Sequence, residues 1–375
     1  MSILIVDSFD GYVTSEIPVY WNNNTSAIIT TPARTGVGAL RPFAGGIGRS
    51  IGALLGHAIV GAAWTANEPG GPIFAFSQSG IPPSQIGGTD FQCQLIGNAD
   101  GTVSIQQRSQ GPILATSNPS GPVLQINVYS YIEWYASFTP GGGLNQVYIN
   151  GQLVLSAFIN TQGLPLPGAD YVFLLGEGGG AVSLFDDFYL VNPDDGDGLT
   201  TFAGDSSVVC SVPVANGDVN NWTPVPPTNQ NWQNVFEIPS TNGTLYNHSN
   251  GVNTADDYTV SPLLAITDKI LAVQLMLMTF AEEPGDITNP FLSIQGTLYN
   301  DNANLFEPST GQYTPTFAIL ERNPVSPGGL SPWTGPVFNA TYWGIGHIDH
   351  PVKFSVHLYA VHNTNRGIVA GALIP

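Results

Sequence analysis

Apolar and polar positions alternate along most of the chain in the two-residue rhythm of β-strands. Leu184 to Val191 is apolar or aromatic except for Asp186 and Asp187. Phe185, Tyr189 and Val191 lie on one side, Leu184, Phe188 and Leu190 on the other, so both faces are covered. Adjacent strand positions send Asp186 and Asp187 to opposite faces. In Val123 to Phe138, Ile132, Trp134, Ala136 and Phe138 share a face, with Glu133, Tyr135 and Ser137 opposite. Hairpins are expected at Asn98-Ala99-Asp100-Gly101 and at Asn150-Gly151. With Ile3 to Val6, the first half holds roughly seven antiparallel strands, enough for a sandwich.

The second half offers strands at Val208 to Val212, Ala272 to Phe280, Phe317 to Leu320 and Phe354 to Val361. Leu271 to Met278 suits a helix by propensity, but it lacks a cap between Pro262 and Pro284 and is read as a strand. Gly46 to Trp64 carries a helical stripe (Ile47, Ile51, Leu54, Leu55, Ala58, Ile59). It also carries Gly48, Gly52, Gly56 and Gly61, each costing a helix roughly 1 kcal/mol. A loop followed by a strand from His57 to Thr65 is expected.

A chain of 375 residues exceeds what one core serves, so two domains are expected, 1–195 and 200–375, joined at the acidic turn Asn192 to Gly198. With 44 Gly and 30 Pro, long helices are excluded and the class is all-β. Charged residues make up only 9%, so Asn, Gln, Ser and Thr must supply the polar surface. The net charge of −19, with Lys269 and Lys353 the only lysines, repels phosphate backbones and excludes nucleic acid as a partner. No apolar run is long enough to span a bilayer, so no membrane is expected. The start, MSILIVDSFDG, lacks a basic region and cleavage site and reads as a first strand rather than a signal peptide, implying synthesis in a cytoplasm. Cys93 and Cys210 fall in different halves and are expected to be unpaired.

Trp134 to Ala157 (WYASFTPGGGLNQVYINGQLVLSA) and the FDDFYL strand after it resemble the concanavalin A-like or laminin G-like sandwich. Three further strings follow: GDSSVVCSVPVANGDVNNWTP (Gly204 to Pro224), NWQNVFEIP (Asn231 to Pro239) and SNGVNTADDYTV (Ser249 to Val260). Together they resemble a family of minor structural proteins of tailed bacteriophages. That resemblance implies a lectin-like β-sandwich followed by a second sandwich-type β domain for attachment. It further implies a non-enzymatic virion protein, exposed as a capsid or tail decoration. Its partners would be other virion proteins and copies of itself. The alternative is a tail-tip or fibre protein whose lectin-like half binds a host surface glycan.

Candidate chemistry is sparse. A glycosidase needs two carboxylates flanking the scissile bond, yet Glu133 stands alone and no E-x-D-x-E string exists. No enzyme is therefore expected. Asp194, Asp195 and Asp197 in DDGDG offer oxygen ligands suited to calcium, though the string also reads as a solvated linker; no other cofactor is expected. His347, Asp349 and His350, with His357 and His362, form the histidine cluster, and a surface loop explains it as well as zinc does. Tyr20, Trp21 and Asn22, near Tyr12 and Asn24, are the glycan-binding candidates, with core packing an equal reading. Trp222, Trp232, Trp333 and Trp343 read as core and loop anchors. Asn247, in an N-x-S triplet, reads as a polar loop residue.

Overall fold

The punctuated sequence folds into short strands. A computed structural model describes residues 2–10, 14, 17, 21, 23–24, 27–43, 45–68, 70–78, 91–176, 181–195, 202–235, 245–249, 254–262, 269–281, 288–294, 297–300, 313–321, 334–347 and 352–363. The chain divides into two units. Unit 1 is built on Tyr20–Ser207 together with Met1–Leu4, and unit 2 on Ile5–Val19 together with Val208–His362.

The strands of the first half are β1 (Ser2–Asp7), β2 (Asn23–Asn24), β3 (Ala27–Thr30), β4 (Ala39–Pro42), β5 (Ile47–Leu55), β6 (His57–Ala66), β7 (Gly71–Ser77) and β8 (Cys93–Gly97). They continue with β9 (Val103–Gln107), β10 (Ile113–Thr116), β11 (Ser130–Ser137), β12 (Gly143–Ile149), β13 (Gln152–Ile159), β14 (Ala169–Leu174) and β15 (Ser183–Asn192). Among the described residues they form two sheets. One is ordered β13-β12-β11-β6-β15-β4-β3, with β1 also on β15; the other is ordered β10-β9-β8-β7-β14-β5-β2. Unit 1 is thus the expected all-β sandwich, with more strands than the sequence suggested.

Its core is aromatic. Phe76 of one sheet meets Trp134 and Phe138 of the other at ring distances of 5.4 and 5.0 Å, and Phe74 meets Phe185 at 6.0 Å. Such tilted and edge contacts are the preferred aromatic geometry. The Asn150-Gly151 hairpin forms as expected, both residues having positive φ, 50° and 76°.

Three expectations are corrected. Ile47–Leu55, read as a loop, is β5 and pairs with β14. Gly52, at φ 79°, lets this strand bend where another residue would strain, so its glycines mark an irregular strand and not its absence. Asp186 and Asp187 do not face oppositely. The register against β6 shifts between Asp186 and Tyr189, and Asp187 takes φ 53°, a bulge that turns both carboxylates to one loop. Finally, the units part between Ser207 and Val208, beyond the acidic turn, because 202–206 packs on the unit 1 sheet; and Ile5–Val19 belongs to unit 2. There Gln274 bonds the backbone of Val6 through both amide atoms, at 3.2 and 3.1 Å.

Among the described residues the second half comprises β16 (Ser206–Ser211), β17 (Pro213–Asn220), β18 (Thr223–Val225), β19 (Tyr246–His248), β20 (Thr254–Val260), β21 (Lys269–Ala281), β22 (Thr288–Ile294), β23 (Thr297–Asn300), β24 (Tyr313–Glu321), β25 (Thr341–His347) and β26 (Val352–Asn363), with a 3₁₀ turn at Asn231–Asn234 and a short helix, α1 (Gly335–Asn339). One sheet runs β18-β19-β26-β21-β24 with β16 on β26; the other runs β17-β20-β25-β22-β23. Every strand expected from the sequence here is present, Leu271 to Met278 included.

Candidate functional site

A concavity in unit 1 lies over the β8–β9 hairpin. Asp100 shapes the hairpin turn by accepting from the Thr102 amide at 3.0 Å and hydroxyl at 2.6 Å. Asn98 donates to Thr102 and Ser104, both at 2.8 Å. The resulting register sets Gln94 opposite Gln106. Cys93, Leu95, Val103 and Ile105 point into the core and are fully buried, which sends the two glutamines outward.

Gln94 donates to the Gln106 carbonyl at 2.6 Å and to the Ser109 backbone at 3.3 Å, and Gln106 donates to Gly111 at 2.8 Å. These amides line a groove of about 400 Å³, walled by Phe91, Ile96 and Leu175 and by Gly45, Gly71, Gly97 and Gly176. Phe91 is backed by Phe173 at 5.3 Å, so the apolar wall is fixed from behind. The Ser109 hydroxyl is buried and has no hydrogen-bond partner among the described residues. Among the described residues, no ionisable side chain lines the groove.

The outer face of the other sheet carries the charged chemistry. Glu133 and Tyr189 flank Gly61 in register, and the Tyr189 hydroxyl donates to the Glu133 carboxylate. The Gly204 amide donates to the same carboxylate at 2.9 Å, and the Ala203 amide to Tyr189 Oη at 3.2 Å. Burial pushes the Glu133 carboxyl up to about 7, against the opposing pull of those bonds. Arg34 Nη1 reaches Asp187 at 3.0 Å and the Ser206 carbonyl at 2.9 Å, and the guanidinium also pairs with Asp205. The Arg34 and Thr35 amides donate to Asp186 at 2.8 and 2.9 Å. Phe202 packs tilted against Tyr148, ring centroids 4.4 Å apart. The 202–206 segment therefore seals this face, and Glu133, 1% exposed, fastens it rather than meeting a ligand.

The residues expected to form sites are differently placed. Trp21 is fully buried, its ring edge-on to Phe188 at 5.5 Å, so it presents no face to a glycan. Tyr12, Tyr20 and Asn22 lie outside the described residues. Asp194 turns both carboxylate oxygens to His57 Nδ1, at 3.0 and 2.9 Å. Asp195 is exposed, Asp197 lies outside the described residues, and no cluster of three or more metal-ligating side chains occurs among those described. His347, His357 and His362 sit on β25 and β26, their side chains outside the described set, as are Asp349, His350 and Trp333. Trp222 and Trp343 are buried anchors, as expected. Asn247 is not a surface residue. It is fully buried and donates to Asn231 at 3.0 Å and Tyr258 at 2.8 Å. The groove amides were overlooked, although the alternation Gln92, Cys93, Gln94, Leu95 marks an outward polar face.

No family model and no curated protein matches the chain. Among solved structures, a protein of unknown function with a galectin-like fold from Bacillus subtilis is similar at 13% identity and TM-score 0.35, over 51% of this chain and 96% of that one. An endo-β-1,4-glucuronan lyase from the fungus Trichoderma reesei is similar at 12% identity and TM-score 0.34, over 45% and 90%. A sialidase is similar at 13% identity and TM-score 0.33, over 52% of this chain but only 19% of its own. Two of these three are enzymes. On that finding the expectation that the chain is no enzyme is withdrawn. No helix among the described residues is long and apolar enough to cross a membrane.

Proposed function

We propose that the protein recognises a neutral glycan in the groove over the β8–β9 hairpin. The observation that carries this is the lining itself: a bonded pair of amides, Gln94 and Gln106, beside Phe91, with no charged side chain among the described lining residues. Amides and hydroxyls both donate and accept, as sugar hydroxyls do. Glycines in the wall let a ligand approach the backbone closely. A volume of about 400 Å³ falls in the usual range for small-ligand sites. The net charge of −19 disfavours uronates and sialic acids.

The test is binding of the full chain to an array of neutral and anionic polysaccharides. Neutral glycans should be retained, and Gln106→Ala should weaken them about tenfold with thermal stability unchanged. Silence at millimolar neutral ligand, or preference for anionic sugars, overturns the reading.

A second reading concerns setting: a virion protein exposed on capsid or tail, with unit 2 as the attachment part and other virion proteins and further copies as partners. The phage-protein resemblance supports it, and so does one observation. Trp222, Asn231, Asp256 and Tyr258, all within the resembling strings, converge in one buried network. Quantitative mass spectrometry of purified particles tests it. Many copies per particle would indicate shell or tube decoration, few a tail tip, and absence from particles would refute it.

A further inference from the structure

The two sheets of unit 1 end in β13 and β10, which approach each other at one margin of the sandwich. Among the described residues β13 pairs with β12 alone, and β10 with β9 alone. Every second residue of such an edge turns its backbone N–H and C=O outward, where another strand can pair with them. Edges are commonly blunted by Lys, by Pro or by a bulge. β13, QLVLSAFI, has neither Lys nor Pro. It carries a bulge at Val154, where the register against β12 slips, but Leu155–Ile159 beyond it is regular.

This margin is apolar and uncharged. Phe158 is 75% exposed and stands directly opposite Leu144, itself 43% exposed, while Leu153 on β13 and Ile113 on β10 are half exposed. Burial alternates beyond the bulge, so Ser156 and Phe158 share the outer face of the sheet and Leu155 points into the core. Between Arg108 and Asp170 the sequence holds one charged residue, Glu133, and that one is buried. The strands and turns of the margin therefore bring no charge of their own to the surface.

Charge and register together select the occupant. Copies of a chain with net charge −19 repel one another where their carboxylates meet, and the neutral margin is where two of them can close without that cost. A basic partner would be drawn to the acidic surface elsewhere. The strand also fits itself. About a two-fold axis at Ala157, antiparallel pairing sets Phe158 opposite Ser156 of the partner subunit, whose small side chain leaves room for the ring. A standard interface takes about 800 Å², or roughly 20 residues, from each copy. β10, β12, β13 and their turns supply that many residues without a charge.

We propose that β13 is a self-association edge. Two copies join their Leu155–Ile159 segments antiparallel, extending one sheet across both and covering Phe158 and Leu144. This interface rests on neither the glycan groove nor a virion setting, and it names the strand through which copies meet.

Sedimentation velocity of the full chain from about 1 to 100 μM tests it. Dimers should form, and raising salt from about 0.05 to 0.5 M should tighten them, because the acidic surfaces that remain are then screened. Phe158→Lys changes a side chain that is mostly in solvent, so the thermal midpoint should hold while the dissociation constant rises at least about tenfold. Val37→Lys, equally exposed but between β3 and β4, should leave the dimer unchanged. Monomers at every concentration, dimers indifferent to Phe158→Lys, or dimers that salt loosens overturn the proposal.

Discussion

Arg34 Nη1 lies 3.0 Å from the carboxylate of Asp187, the residue at which β15 bulges with φ 53°. The same guanidinium bonds Asp205 and the Ser206 carbonyl and sits 5.0 Å from the Tyr131 ring centroid. One cation thus joins a loop, a bulged strand and the segment that seals the sheet.

Replacing Arg34 by Met should be costly, because Asp187 is fully buried and would keep its charge without a countercharge. Losing one partner of a buried pair costs about 3–5 kcal/mol; with Arg34 partly exposed, about 2–4 kcal/mol is expected. Denaturant unfolding checks this, and an unchanged midpoint would show the latch to be idle.

Glu133 makes stability depend on pH. Its carboxyl titrates at about 7 in the folded protein, against 4.5 when solvated, so between these values the folded state holds the extra proton. Stability should fall as pH rises through that window and level off above it, by on the order of 3 kcal/mol. Asp256, raised from 3.8 to about 6 by burial against its bonds to Trp222, Asn231 and Tyr258, contributes a fall that ends earlier. Glu133→Gln should stop falling near pH 6 while the parent continues to about 7. Identical curves for the two would contradict the assignment.

In unit 2, Asp256 accepts from the Trp222 amide at 3.0 Å, Asn231 Nδ2 at 2.5 Å, Asn247 Nδ2 at 3.4 Å and Tyr258 Oη at 3.0 Å. Asp256→Ala leaves those buried donors with a lost acceptor and should cost about 3–5 kcal/mol. A loss within about 0.5 kcal/mol, the range of a surface change, would disprove the network's importance.

Cys93 is fully buried, and burial pushes its thiol well up. A thiol reagent should leave Cys93 unmodified in the native protein and label it on unfolding. Peptide mapping distinguishes it from Cys210, and rapid native labelling of Cys93 would contradict its burial.

Strand rhythm was legible because each strand buries one or both faces, and that requirement writes itself into neighbouring residues. What depended on a distant partner was not. Asp186 and Asp187 look like any adjacent pair until Arg34 and Thr35, remote in sequence, gather both. Gln92 and Gln94 share one face of the alternation, yet Gln92 spends its side chain holding loop amides at Gly163 and Leu164, both at 2.9 Å, while Gln94 lines the groove. For Trp21 the sequence left glycan binding and core packing as equal readings. The partner that buries it, Phe188, comes from a strand far along the chain.

The division of the chain also fixes an order of synthesis. Val6 leaves the ribosome long before Gln274, whose amide bonds both its backbone groups, so those two bonds must wait until β21 emerges.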